Sequence, residues 1–502
     1  MRMIGTGRVL QFFNDMRMTA ARLTCALLLS IAATPLVDAQ PANGKKLAAE
    51  VRAEFLHAWN GYKKYASGHD DLKPLSRTFH DWYAEPLLMT PVDALDTMIL
   101  MGFDKEAQTT REYIATHLSF DKDIYVQNFE ITIRLLGGLL SSYEMTGDKR
   151  LLNLAEELGN RLLPVFESPT GLPYRYVNLR TGKVRGNVTN PAEAGTLLIE
   201  FGTLAKLTHK QIFYDKAKRA LVEIYKRRSR IGLVGTWINI ESGQWTDTDS
   251  HISGAIDSYY EYLLKCAILF EDQDCRKMWE DSIAAINKYL IDEILRTNET
   301  NLVGPPSAEL WYGHANMNTG KRTMTTYGAL DAFFPAVLAL SGDFDHATRL
   351  QLSSFYMWSR TDIEPEEMNY QTMEVVAPGY LLRPEIVEST YYLHHFAAEG
   401  SILGMREHGN LPRRTRSTLD AVAGFYMKAG ENMWKNFVKY CRTEEAYAAL
   451  KSVNTKEKSD SMQSFLFAET FKYFYLLFSP PKTLDFDKVI FNTEAHPIRI
   501  RG

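Results

Sequence analysis

The sequence predicts an all-α fold closed into a ring: an (αα)7 barrel in which short β-hairpins or loops join successive helical hairpins. Three observations predict it. Similar helical pairs recur at intervals of roughly 55–75 residues, the mark of a repeat architecture. In each pair the first helix is apolar almost all round and the second carries one apolar stripe, so the first is buried and the second lies outside it. No Pro/Gly/Ser-rich linker or low-complexity stretch separates the pairs. A solenoid would bury only one face of its inner helices; burial of both favours closure. A single domain over residues 40–502 is expected.

The first 39 residues fall outside the pattern. Arg17 and Arg22 precede an apolar run from Leu23 to Pro35, and Val37-Asp38-Ala39 supplies a small-residue cleavage pattern before Gln40. This reads as a secretory signal, with Met16 and Met18 as alternative starts. A membrane anchor is the competing reading, disfavoured because the run is short for a spanning helix. The expected product is secreted or periplasmic (or in the endoplasmic reticulum lumen of a eukaryote), without stable membrane insertion, and a monomer.

The elements then follow in order. Pro91 to Asp96 opens the first inner helix. Helical pairs cover Asn128 to Leu163, Asn190 to Lys226, Gly254 to Leu290 and Gly328 to Trp358. Another inner helix begins at Arg383, and a last long helix is expected from Asp460 to Phe478. Between them, Gly171 to Asn178 and Trp237 to Ile240 are rich in β-branched and aromatic residues and read as short hairpins or long loops.

Composition narrows the function. Of 502 residues 45% are hydrophobic and 24% charged, which excludes wholesale disorder. The formal net charge is −4, with no basic stripe to neutralise a phosphate backbone, so nucleic acid is excluded as a partner. Four cysteines are too few for a disulfide scaffold. Cys25 leaves with the signal; Cys266, Cys275 and Cys441 remain, an odd set that implies a free thiol or an intermolecular bridge.

Acids sit where the inner helices should be apolar: Asp93, Asp96, Glu130, Glu193, Asp257, Asp331, Glu385 and Glu388. Taken singly, each is explained by capping and the helix dipole. Asn190-Pro191-Ala192-Glu193 fits a capped start, and Thr90-Pro91-Val92-Asp93 has the same form. In a closed ring, however, parallel inner helices bring their N-termini to one mouth. Carboxylates gathered there lose solvation and repel each other, which raises some pKa values and favours a cation. Glu469 lies well inside FLFAETFKYFYLLF, where an unpaired buried carboxylate costs several kcal/mol. The alternative is a surface pair with Lys472. Zinc-protease, nucleophile-elbow, phosphate-loop and EF-hand patterns are missing from the sequence. His394 and His395 read as packing residues, and Asn187 and Asn298 begin acceptor sequons.

These residues also carry a family resemblance. AWNGYKKYASGHDDLKPLS (from Ala58), VDALDTMILMG (Val92), FEITIRLLGGLL (Phe129), DSYYEYLLK (Asp257), LRPEIVES (Leu382), the stretch from Ala468 to Phe478 and FNTEAHP (Phe491) occur in order. The chain resembles glycoside hydrolase family 47, the class I α-1,2-mannosidases, over nearly all of the mature sequence. The resemblance implies an (αα)7 barrel that removes terminal α-1,2-linked mannose, with inversion and with bound Ca2+, from mannose-containing oligosaccharides or glycoprotein glycans. It assigns Glu130 as general acid, directly or through a water, Glu385 as general base and Asp257 as a third catalytic acid. Thr493 becomes the only direct protein ligand of calcium. Glu261, Glu388, Glu469 and Glu494 hold the ion's waters or the sugar hydroxyls. Arg134 and Arg383 contact sugar, and Phe465 stacks on it. An inverting glycosidase needs its acid and base about 6.5–9.5 Å apart, which separate helices across a mouth provide.

The chain also departs from the family pattern. Ala329-Leu330-Asp331-Ala332-Phe333 replaces the His-Leu-x-Cys-Phe of many eukaryotic members, so their disulfide cannot form, and the following stretch resembles the ER degradation-enhancing branch. Gln463 and Asp71 stand where Glu is usual, and Ala255 lacks an Arg that fixes branch preference. The competing functional reading is a lectin-like, glycan-binding barrel with little or no turnover.

Overall fold

The computed structural model describes residues 44–295, 309–400, 402 and 413–500. The signal segment and the Asn298 sequon lie outside these residues. Seven inner helical segments form the ring wall: Met89–Leu100, residues 128–146, residues 191–208, Asp257–Leu269, residues 330–341, Glu385–Ala398 and residues 466–478. Each of the first six is followed by an outer helix: Asp104–His117, Lys149–Leu162, Gln211–Lys226, Gln273–Tyr289, Phe344–Thr361 and Arg413–Cys441. The ring closes where the last inner helix packs beside the first, with the N-terminal helix Gly44–Tyr65 serving as its outer partner.

The burial pattern explains the two layers. Every residue from Met89 to Met98 is buried, whereas the outer helix Lys149–Leu162 buries Leu151, Ala155, Leu158, Gly159 and Leu162 along one stripe. The closing seam is aromatic: Phe55 lies 5.1 Å from Phe467 and 5.8 Å from Phe471, and Trp434 lies 5.1 Å from Phe474. Each such side chain contributes about 1.5–3 kcal/mol by leaving water. Cys266 and Cys275 form a disulfide that ties an inner helix to its own outer partner; Cys441 is the remaining thiol among the described residues and is buried.

Small antiparallel sheets join the hairpins. Residues Tyr125–Gln127, Tyr176–Asn178 and Val184–Arg185 form one, and Val188–Thr189, Trp237–Asn239 and Trp245–Asp247 another. The last hairpin, Val489–Phe491 with Pro497–Arg499, sends its turn into the barrel. Its approach depends on Gly137, where a Cβ would lie 2.5 Å from Asn492 Nδ2. No described helix is long and apolar enough to cross a membrane.

Local readings of the sequence need correction. The last inner helix does not begin at Asp460: that carboxylate accepts N–H bonds from Leu75 (2.8 Å) and Ser76 (3.2 Å), and Met462 makes an isolated antiparallel bridge with Leu72, so residues 460–463 are not helical. Thr90 is not a cap. The helix starts at Met89, two residues before Pro91 and after Leu88 in the left-handed region (φ 57°), and the Thr90 hydroxyl donates to the Asp70 carbonyl (2.6 Å). Asn190 does cap its helix, accepting from Glu193 N at 2.8 Å.

Candidate active site

The inner helices open at one end into a cavity of about 470 Å³. Glu130, Asp257 and Glu385 each stand in the first turn of a different inner helix, and all three line it. Arg134, Arg383, Phe465, Glu261, Glu388, Glu469, Thr493 and Glu494 line the same cavity. The structure therefore brings every candidate site residue to one place.

Two wall positions depend on irregular helix. Residues Thr132–Leu136 and Leu466–Thr470 form single π-helical turns inside otherwise α-helical segments. The wider register shifts the side chains that follow by about one position relative to an α-helix, a device frequent at functional sites. Arg134 lies in one such turn and Glu469 in the other. Lys472 is not the partner of Glu469: it is fully buried, paired with Asp96 at 2.8 Å, and donates to the Ala495 carbonyl at 2.6 Å.

Ion pairs hold the charged side chains that line the cavity. Arg134 Nε donates to Glu130 (2.9 Å), its Nη1 bonds Glu494, and it lies 3.7 Å from Asp93. Burial works against its charge, but Glu494, Glu130 and Asp93 outweigh it and keep the guanidinium protonated. Arg383 is gripped by Glu366 at 2.9 Å and lies 3.9 Å from Glu385. Both guanidinium groups approach the Phe465 ring, at 5.7 and 5.9 Å from its centre. Lys265 pairs with Glu261 one turn away, and Tyr473 donates to Glu388 at 3.1 Å.

Loss of water dominates the electrostatics. Burial pushes Asp257 up to about 6 and Glu385 up to about 7. It pushes Glu388 and Glu494 up to about 8, with Lys265 and Arg134 respectively opposing the shift. Glu469 is raised well above the ordinary carboxylate range by burial and by Glu494, Glu385 and Glu388 around it. Five buried or half-buried acids that resist ionisation together are a site that a cation would relieve. The donors are all oxygens, which suits a hard ion such as calcium rather than a thiolate- or imidazole-seeking metal.

Thr493 sits on the inserted turn. Asn492 fastens that turn: its Oδ1 accepts from Glu494 N (3.0 Å) and His496 N (2.8 Å), and its Nδ2 donates to Ile133 O (2.9 Å) and Glu200 Oε1 (2.8 Å). Below it, His496 Nδ1 bonds Asp96 at 2.7 Å. Among the described residues, two other groups have metal-ligand character, and neither lines the cavity. In Asp249, His251 and His314, His251 is engaged by Ser253 N and the Thr236 hydroxyl, and His314 Nδ1 by Asp249 at 2.6 Å. The other contains the disulfide. His394 and His395 pack, His394 against the Ala423 carbonyl (3.0 Å) and His395 against Phe486 (4.3 Å between ring centres).

Sequence reasoning missed several contributors. Gln127 and Trp237 line the cavity from the small sheets, Arg175 lines it from the residue before a strand, and Glu366 holds Arg383. Only Lys265, one turn after Glu261, carried a readable signal.

Comparison with known proteins fits this geometry. The model of glycosyl hydrolase family 47 matches residues 54–403 and 422–500. The chain is 33% identical over 485 residues to alpha-mannosidase I MNS5 of Arabidopsis thaliana, covering 91% of this chain and 77% of that one. It is 32% identical over 512 residues to the mouse ER degradation-enhancing alpha-mannosidase-like protein 2 (95% and 82% covered). It is 34% identical over 476 residues to the human endoplasmic reticulum mannosyl-oligosaccharide 1,2-alpha-mannosidase (89% and 63%). Among solved structures, the alpha-1,2-mannosidase from Trichoderma reesei superposes with a TM-score of 0.76 at 26% identity, covering 91% of this chain and 99% of that one. Matched over most of its length by the family model and by relatives more than 30% identical, the chain belongs to glycosyl hydrolase family 47 and is a glycoside hydrolase.

Proposed function

We propose that the protein removes terminal α-1,2-linked mannose from mannose-rich oligosaccharides of the N-glycan type, by a calcium-dependent, inverting mechanism. The observation that carries the reading is the convergence of Glu130, Asp257 and Glu385, from three separate inner helices, on one cavity that Thr493 also lines. The names of the relatives supply the linkage.

In this scheme Glu130 delivers the proton to the departing oxygen, directly or through water, while Arg134 fixes its orientation through the 2.9 Å bond. Glu385 takes the proton of the attacking water. Its pKa near 7 suits a base that works close to neutrality, and Arg383 beside it favours the charged form. Asp257, held by Ser258, is the third carboxyl. Phe465 offers an apolar face to the sugar ring. Thr493 would hold calcium directly, and Glu261, Glu388, Glu469 and Glu494 would hold its waters or the sugar hydroxyls. The ion, when bound, supplies positive charge that orients those hydroxyls and offsets the carboxylates.

The Cys266–Cys275 disulfide supports an oxidising compartment, in keeping with the secretory signal read from the sequence. The test is hydrolysis of a panel of mannobioses. Release of mannose from the α-1,2 isomer, and little from the α-1,3 and α-1,6 isomers, is expected. Binding without release would favour the lectin-like reading, and preference for another linkage would overturn the specificity.

A further inference from the structure

Asp331 opens an inner segment much as Asp257 and Glu385 do, yet it does not line the cavity. Its Oδ2 accepts from Gly328 N (2.8 Å), and His314 and the Ser253 side chain favour its ionised form. It faces instead a cluster that the mechanism leaves unused: Asp249, His251 and His314. That cluster immediately precedes the turn, residues 253–256, that delivers Asp257 to the cavity.

The turn is strained and pinned. Ala255, which lines the cavity, has φ 76°, a left-handed conformation that a non-glycine residue keeps only where its surroundings enforce it. Its carbonyl accepts from Ala192 N (3.0 Å) on another inner helix. Gly254 passes so near Leu330 that a Cβ would lie 2.9 Å from the Leu330 Cδ1. Ser253 O accepts from Ile256 N (3.1 Å) and Asp257 N (3.0 Å), so Ser253 sets where the Asp257 helix starts. Ser253 is held in turn by His251, whose Nδ1 accepts from Ser253 N at 3.2 Å.

The rest of the cluster fixes the His251 ring. A backbone N–H only donates, so Nδ1 is the acceptor and Nε2 carries the proton, which it directs to the Thr236 hydroxyl (3.2 Å). That hydroxyl donates to the Asp249 carbonyl (2.8 Å). His314 stacks on His251, 4.3 Å between ring centres, and its Nδ1 bonds Asp249 Oδ2 at 2.6 Å, while the Thr323 hydroxyl donates to Asp249 Oδ1. Burial and the neighbouring His314 hold the His251 imidazole well below its ordinary range, so Nδ1 stays an acceptor. Both nitrogens of His251 are spent on protein partners, which makes the group a hydrogen-bonded brace rather than an ion site.

We propose that His251 is a positioning residue for Asp257. It holds Ser253, and with it the strained Gly254–Ala255 turn, at the geometry that presents the Asp257 carboxyl to the cavity; Asp249 and His314 hold His251. The proposal rests on the α-1,2-mannosidase reading and adds a residue from outside the cavity to it. A carboxyl displaced by about 1 Å serves the transition state less well while substrate still binds, so the effect resides in kcat.

The test compares the wild type with His251→Phe, which keeps a ring but no acceptor, His251→Asn, whose Oδ1 replaces Nδ1, and Thr236→Val, which removes only the outer bond. kcat and KM on α-1,2-mannobiose are measured with calcium and expressed per folded molecule, and hydrogen exchange of the Ser253–Asp257 amides is followed by mass spectrometry. His251→Phe should lower kcat by about tenfold or more at unchanged KM and speed exchange across the turn. His251→Asn should regain most of both, and Thr236→Val should fall between. An unchanged kcat in His251→Phe, a loss that His251→Asn does not regain, or a loss confined to KM would overturn the role, even if the melting temperature falls. Should His251→Phe not fold, Thr236→Val decides: a lower kcat at unchanged KM supports the role, and an unchanged kcat overturns it. A wild type that releases no mannose would remove the activity and the catalytic role together, while slower exchange than in His251→Phe would leave the brace standing.

Discussion

Lys472 supports a sharp energetic prediction. Its ammonium is fully buried, 2.8 Å from Asp96 and 2.6 Å from the Ala495 carbonyl, directly below the turn that carries Thr493. Asp96 is itself fully buried and also accepts from His496 (2.7 Å) and Ser141 (2.9 Å). Burial opposes the charge on Asp96, but Lys472 and His496 outweigh it and bring its pKa down to about 2. Lys472→Met keeps the volume and deletes the charge, leaving Asp96 short of a partner and the Ala495 carbonyl without its donor. Breaking one side of such a pair costs about 3–5 kcal/mol. Urea unfolding of Lys472→Met, Asp96→Asn and the double variant closes a cycle in which the double loses clearly less than the sum. The sign of the pH effect is also determined. A carboxyl with a depressed folded pKa adds stability above its unfolded value near 4, and that stability disappears as pH falls towards 2. The wild type should therefore lose stability over that interval faster than Asp96→Asn. Calcium should stabilise the Lys472→Met protein less than the wild type, because the Thr493 turn has lost its anchor. A single-variant cost below about 1 kcal/mol, or strictly additive effects, would refute the reasoning.

Other expectations are independent of that network. Asp331 is buried and pushed up to about 7, chiefly by loss of water. A raised carboxyl withdraws stability as pH climbs from about 4 to about 7, so thermal melts of Asp331→Asn should change less over that range than those of the wild type. His496 is raised to about 9, with Asp96 and Asp93 overcoming the effect of burial; its contribution is complete below pH 6.5 and is lost as pH rises through 9, a trend His496→Gln should lack. The Cys266–Cys275 loop is short, with a separation of 9 residues, so replacing both cysteines by serine should cost about 2–3 kcal/mol in unfolding experiments. Glu366→Gln loosens Arg383 and should lower kcat more than it lowers the melting temperature.

The ring was legible because its inner helices are apolar on every side while its outer ones are not, a contrast that periodicity exposes. The acids were legible because a carboxylate inside such a helix is too costly to be incidental, and the motifs of the family resemblance assigned them roles. The seam was harder to see. The partner of the last inner helix is Gly44–Tyr65, more than 400 residues earlier, and no local pattern connects the two. The Arg413–Cys441 helix was likewise absent from the repeat reading. The π-helical turns at Arg134 and Glu469 leave no mark in composition, since an i→i+5 bond uses the same residues as an α-helix. Lys472 misled for a related reason. Spacing offered Glu469 as its neighbour, whereas the side chain points down the barrel to Asp96.

The most direct test follows α-1,2-mannobiose hydrolysis by proton NMR, with calcium, with excess chelator, and with Glu385→Gln. β-Mannose should form first and then mutarotate, chelation should stop turnover until calcium is restored, and Glu385→Gln should fold but not turn over. α-Mannose as the first product, undiminished rates in chelator, or near-normal rates for Glu385→Gln would contradict the proposed mechanism.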